Sequence, residues 1–224
     1  HTTERDFRRL IGAPDVAVYV NRVPYANPLN AENLRAMQPH LAAAASDILP
    51  DEALDALAFS CTSGSALMGD QVVHGVLADA KPGTPTVTPT SAARAACRAL
   101  GVEDIAMLAP YERAVSEKLA SYFGDSLGVS ISTLQYLGYD DDREIARIPP
   151  ESVVELGARL LADDTGAEAL FISCTATRAA EVVERLEALT GRPVITSNQA
   201  MIWQTMRAAG ETGPIEGLGR LGRL

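Results

Sequence analysis

Two cysteines sit in nearly the same local text. The segment Asp55-Ala-Leu-Ala-Phe-Ser-Cys-Thr62 ends in Ser-Cys-Thr, and so does Glu168-Ala-Leu-Phe-Ile-Ser-Cys-Thr175. They agree at Ala, Leu, Ser, Cys and Thr, and both open on an acidic residue. Each reads as an apolar strand with a helix to follow. A thiol at the start of a helix is expected to have a lowered pKa and a larger thiolate fraction. Small hydroxyl residues and open backbone come next: Thr62, Ser63, Gly64 and Ser65 on one side, Thr175, Ala176 and Thr177 on the other. Such donors suit a substrate carboxylate, and Gly64 is expected to let a ligand approach the backbone.

Two thiols facing one carbon from opposite sides can do specific chemistry. One removes a proton beside a carboxylate and the other delivers a proton to the opposite face. Donors around the carboxylate stabilise the enediolate-like charge. Alternatively, one thiolate adds to an activated double bond and permits rotation about it. Cys61 and Cys174 are therefore the candidate catalytic residues, with Cys61 as base or nucleophile and Cys174 as acid. Cys97 lies in an Ala-rich helix without a polar motif and reads as packing.

Other side chains are weaker candidates. Tyr111 ends a strand after Pro110, which would aim its phenol into a cleft or bury it as packing. Asn198 follows a strand and serves a substrate or caps a helix. His40 and His74 read as surface residues, Asp140-Asp-Asp142 as a solvated loop, and Trp203 as core. His1, His40 and His74 are far apart in sequence, and no CxxC or HExxH occurs, so no metal site is expected. No G-x-G-x-x-G or P-loop pattern follows a predicted strand.

The elements that must position the thiols repeat in order. Downstream of the cysteines, Gly83-Thr-Pro-Thr-Val-Thr-Pro-Thr-Ser-Ala92 resembles Gly191-Arg-Pro-Val-Ile-Thr-Ser-Asn-Gln-Ala200. Both run into helices ending in Arg-Ala-x-Gly, a C-terminal signal. The pattern predicts helices over 4–10, 31–48, 66–80, 112–123, 151–161 and 178–189. It predicts strands over 16–20, 105–109, 129–134 and 194–196, and at each cysteine segment. Strands alternating with helices imply parallel sheets. The expected fold is α/β: two Rossmann-like lobes related by a pseudo-twofold axis, with the site in the cleft between them. Residues 1–88 plus 198–224 are the expected first lobe and 89–197 the second. The strand over 105–109 has no counterpart before Thr3, so the first strand and its loop are expected to precede the residues given.

The composition bounds the function classes. The 224 residues carry 29 acidic and 19 basic side chains, a net charge of -10, which disfavours nucleic acid as a partner. No apolar run reaches membrane length, so no membrane partner is expected. Three cysteines without a close pair suggest a reducing cytoplasm over a disulfide framework.

These motifs resemble the aspartate/glutamate racemase superfamily, and within it the branch of maleate cis-trans isomerase, arylmalonate decarboxylase and the ectoine-utilisation protein EutA. The residues that carry the resemblance are Cys61-Thr-Ser-Gly-Ser65, Leu108-Ala-Pro-Tyr111, Ser173-Cys-Thr175, Gly191 to Gln199, and the tail pattern Gly219-Arg-Leu-Gly222. The resemblance implies catalysis without a cofactor, Cys61 and Cys174 as the catalytic thiols, and a homo-oligomer, dimer or tetramer. It also implies a small carboxylate or dicarboxylate substrate, with Tyr111 touching it and Thr62, Ser63 and Thr175 near its carboxylate. The decarboxylases of the branch keep only the second cysteine, so two thiols point to an isomerase or racemase, with EutA-type chemistry the nearest context. Cys174-Thr-Ala-Thr177 departs from EutA-like proteins at Ala176. The competing readings are a lyase that releases carbon dioxide and a two-lobed binding module, which has no need of paired thiols.

Overall fold

The computed structural model describes residues 2–12 and 15–224; His1 lies outside them. Helix α1 (Thr2–Leu10) is followed by an extended segment, then by α2 (Ala31–Arg35), a 3-10 turn at Gln38–His40, and α3 (Leu41–Ser46). Strand β1 (Leu57–Ala58) leads into α4 (Thr62–Met68) and α5 (Asp70–Ala80). Strand β2 (Thr86–Val87) leads into α6 (Pro89–Leu100). Next come β3 (Asp104–Tyr111), α7 (Arg113–Tyr122), β4 (Ser130–Tyr139), α8 (Asp142–Ile145), α9 (Pro150–Asp163) and β5 (Ala169–Ile172). Helix α10 (Val183–Thr190), β6 (Val194–Thr196) and α11 (Ser197–Ala208) follow, and a second 3-10 turn at Leu221–Arg223 comes last.

The strands form two sheets, β1-β2 and β4-β3-β5-β6, and every pairing is parallel. The first sheet lies within residues 1–88 and the second within 89–197. Parallel strands need covered faces, and β3 and β5 read as continuous apolar runs for that reason. Leu170, Phe171 and Ile172 are essentially inaccessible, and each such side chain contributes about 1.5–3 kcal/mol of burial. Helix α9 reaches β5 through Gly157, where a Cβ would lie 2.8 Å from Leu170 Cδ2. Trp203 is buried, as its position predicted.

The internal repeat is visible in the caps. Thr88 and Thr196 occupy matching positions in the two Gly-led segments. Each closes a capping box at the start of a helix, Thr88 with Ser91 on α6 and Thr196 with Gln199 on α11. In a capping box the side chain satisfies amides that the helix leaves without partners, so each strand is turned into its helix in the same way.

Four expectations need correction, the first being the helix over 66–80, which Gly69, at φ 88°, divides into α4 and α5. Residues 16–20 form no strand; a strand persists only where a neighbour completes its ladder, and none of the described residues pairs with these. The predicted helix over 31–48 breaks into α2, the 3-10 turn containing Pro39, and α3, because proline lacks the amide that would continue the bonding. The helix expected from Arg178 begins only at Val183. None of the described helices is long and apolar enough to cross a membrane.

Candidate active site

The two cysteine loops lie at the carboxyl ends of β1 and β5, where parallel sheets bind ligands. Cys61 is the N-cap of α4, on extended backbone at φ -153°, and its sulfur accepts from the Gly64 amide at 3.4 Å. Cys174 instead takes the left-handed region, at φ 82°. That conformation costs a non-glycine residue about 1–2 kcal/mol. It turns the chain sharply away from β5, which accounts for the late start of α10. The Ala176 amide donates to the Cys174 sulfur at 3.4 Å.

Cys61 and Cys174 both line one cavity of about 620 Å³. Thr62, Ser63, Tyr111, Asp142, Thr175 and Ala176 line it with them, while apolar residues such as Leu41, Leu57, Met201 and Met206 line the remainder. The loops are linked directly: Thr175 Oγ1 donates to the Ser60 carbonyl at 3.2 Å. Thr62 Oγ1 donates to Ser197 Oγ at 2.8 Å, which joins α4 to the first turn of α11. Tyr111, at the end of β3, is buried with its hydroxyl 3.3 Å from Ser173 Oγ.

Two of the expected binding residues stand behind the wall. Gly64 does not line the cavity; its amide serves Cys61, and a Cβ there would lie 2.9 Å from the Cys61 sulfur. Asn198 is also off the cavity and 2 % exposed. Its side-chain amide donates to Asp6 Oδ2 at 2.8 Å and to the Thr175 carbonyl at 3.1 Å. Thr3 Oγ1 donates to Asn198 Oδ1 at 3.1 Å and lies 2.7 Å from Ser60 Oγ. Asn198 thereby ties α1 to the second cysteine loop.

The expected lowering of the thiol pKa values is reversed. Burial pushes Cys61 up to about 11, and the charge of Asp142 adds to the shift; the Gly64 amide and Ser63 hydroxyl offset part of it. Burial, then Asp142, pushes Cys174 further still, against the Ala176 amide and Tyr111. Desolvation of a thiolate outweighs one aligned amide at each site. The thiols are therefore unequal, and Cys61 is the more acidic.

Asp142 was read as part of a solvated loop and is instead a cavity residue. Cys174 Sγ approaches its Oδ1 at 3.9 Å. Burial, then the neighbouring charge of Asp141, raises its pKa. The missed signal is the length of β4, which runs to Tyr139 and so brings the Asp140–Asp142 triplet to a strand's carboxyl end. Tyr25 and Asp6 also escaped sequence reading. Tyr25 lines the cavity from the extended segment before α2. That segment is held to the triplet by Leu29 N donating to the Asp140 carbonyl at 2.7 Å and Asn27 Nδ2 donating to Asp141 Oδ1 at 3.1 Å. Among the described residues, no group of His, Cys, Asp and Glu is arranged to hold a metal ion.

The family model of arylmalonate decarboxylase matches residues 32–222. The arylmalonate decarboxylase of Bordetella bronchiseptica is 28% identical over 128 residues, 57% of this chain and 53% of its own. A maleate isomerase of Pseudomonas putida is 25% identical over 181 residues, 77% of this chain and 71% of its own. The chain thus spans about half the length of the first relative and more of the second. In overall fold it superposes on a cysteine-to-serine mutant of the maleate cis-trans isomerase of Nocardia farcinica, solved with a covalently bound succinylcysteine intermediate. The TM-score is 0.88 at 23% identity, over 99% of this chain and 93% of that one.

Proposed function

Because the match over residues 32–222 makes this chain a member of the arylmalonate decarboxylase family, we propose that it is a cofactor-independent isomerase of a small unsaturated carboxylate. The observation that carries the reading is the pair of cysteines on one cavity. A decarboxylase needs only one thiol, to protonate the carbanion left by carbon dioxide. Two favour reversible addition across a double bond.

In this reading Cys61, as thiolate, adds to one carbon of a cis double bond conjugated to the substrate carboxylate. The carbon–sulfur bond forms at the expense of the π bond, and the electron pair moves toward the carboxylate as an enediolate. The backbone amides of Thr62 and Ser63, with the Ser63 hydroxyl, hold that carboxylate, since the Thr62 hydroxyl is given to Ser197. Cys174 gives its proton to the adjacent carbon, which leaves a thioether on Cys61 and a thiolate on Cys174. Rotation about the new single bond follows. Cys174 then takes a proton back, the carbon–sulfur bond breaks, and the trans product leaves. Burial, and after it the charge of Asp142, raises the Cys174 pKa and so keeps that sulfur protonated until it is needed. The succinylcysteine in the Nocardia farcinica isomerase is an adduct of this kind in that protein. The lobes are taken as 1–88 with 198–224 and 89–197, so that the reaction occurs between them. EutA-type racemisation, with Cys61 as base toward an α-proton, is the nearest variant of the same thiol pair.

The test uses the whole chain, its Cys61→Ser and Cys174→Ser variants and the double variant, each incubated with cis-unsaturated mono- and dicarboxylates in deuterated water. The expected result is a trans product, loss of turnover in each variant, and an adduct mass on Cys61 in the Cys174→Ser protein. Full turnover by the double variant, or release of carbon dioxide that survives Cys61→Ser, would overturn the reading.

A further inference from the structure

We propose that Asp142 sets the polarity of the accepted substrate: the group that lies against Cys174 is a hydrogen-bond donor, such as a carboxamide or an ammonium, and not a second carboxylate. The inference rests on the reading of this cavity as the substrate site, and it names the substrate class for it.

Most side-chain donors and both cations around Cys174 are already engaged; the exception is the Tyr111 hydroxyl, which accepts from Ser173 Oγ. Thr175 Oγ1 is spent on the Ser60 carbonyl, and Thr177 Oγ1 on the Ser173 carbonyl at 3.1 Å. The Asn198 amide is divided between Asp6 and Thr175. The Ala176 amide points at the Cys174 sulfur itself. Arg22 and Arg143 are the cationic side chains among the described residues of the cavity wall. Arg22 pairs with Glu4 and Arg143 with Asp141. A second carboxylate placed here would meet the Asp142 carboxylate without a counter-charge, and such like-charge contact rejects a ligand strongly. A donor group meets an acceptor: Asp142 takes a hydrogen bond from the Cys174 thiol and has lone pairs left to take another. The rejection of dianions is thus built in as a repulsive element, which is how binding sites often gain specificity.

The experiment separates this inference from the thiol chemistry by using unreactive saturated ligands. Calorimetry at about pH 8, where succinate carries two charges, compares succinate with succinamate and with β-alanine, the amide and ammonium arms. The wild-type protein is expected to bind at least one of the latter two about tenfold or more tighter than succinate. Asp142→Asn, which turns the acceptor into an amide, is expected to shrink that ratio to about threefold or less, or to reverse it. Succinate binding as tightly as both, an unchanged ratio in the variant, or no binding of any of the three at about 10 mM would overturn the proposal. If Asp142→Asn does not fold, the wild-type ratio decides alone. A sustained ratio with failed thiol chemistry would sink only the isomerase reading; a reversed ratio with intact thiol chemistry would sink only this one.

Discussion

Thr175 Oγ1 donates a hydrogen bond to the Ser60 carbonyl across 3.2 Å, so the residue after one cysteine holds the residue before the other. Thr3 bridges the same two loops, its Oγ1 lying 2.7 Å from Ser60 Oγ and donating to the Thr175 carbonyl at 3.5 Å.

Thr175→Val keeps the shape and removes the donor. It is expected to lower kcat/KM about tenfold through misplacement of the sulfurs, while costing only about 1 kcal/mol of stability. Steady-state kinetics beside a urea titration checks both. Unchanged kcat/KM would mean that the loops hold their spacing without this bond.

Gly64→Ala is expected to act on the sulfur and not on the ligand. The added methyl would lie 2.9 Å from Cys61 Sγ and force the thiol from its place against the Gly64 amide. The loss expected is about tenfold or more in turnover, with slower alkylation of Cys61 and a Tm within about 4 °C of the parent. A variant of full activity would show that the close approach is relieved without moving the thiol.

The pH dependence follows from burial. Cys61 must ionise to attack, and burial pushes it up to about 11. Expected kcat/KM therefore rises about tenfold per pH unit between about pH 7 and pH 10. Asp142→Asn removes a charge that raises the thiol and is expected to move the rise to lower pH. For stability the sign is opposite. Because the folded value exceeds the ordinary 9.0, the contribution is fully present below pH 9 and is lost as pH climbs through about 11. A flat rate profile over this range would remove Cys61 as the ionising group.

The three cysteines are expected to react in order of access. Cys61 is half-buried, Cys174 is 5% exposed and Cys97 is 1% exposed. Iodoacetamide followed by peptide mass mapping should modify Cys61 first, Cys174 slowly and Cys97 only after denaturation. Cys97→Ala should cost about 1–2 kcal/mol and leave turnover intact. Early modification of Cys97 in the native protein would contradict its place in the core.

The repeat was legible in the sequence because it is written in local chemistry. Ser-Cys-Thr after an apolar run, and a Gly-led strand before a capping threonine, each specify a strand-to-helix turn without reference to distant residues. What escaped depends on distant ones. Residues 16–20 have strand-forming side chains, yet a strand requires a paired neighbour. The acidic triplet seemed solvated because β4 seemed to stop at Leu134; five more residues carry it into the cavity. The sign of the thiol shifts was misread for the same reason. The helix start is a local feature, but the burial that overrides it comes from the packing of the whole wall. Asn198 was legible as a polar residue after a strand, whereas its partner Asp6 lies 192 positions away in the chain.

The two Ser-Cys-Thr motifs also bear on ancestry and engineering. Identical text is held at φ -153° in one case and at φ 82° in the other. If the halves descend from one duplicated gene, they have ceased to be interchangeable parts: the first delivers its sulfur from a regular cap, the second from a strained kink. A chimera that transplants residues 60–64 into positions 173–177 would import the right letters with the wrong bend. It would aim its new thiol along a different line and leave the substrate attended from one side only.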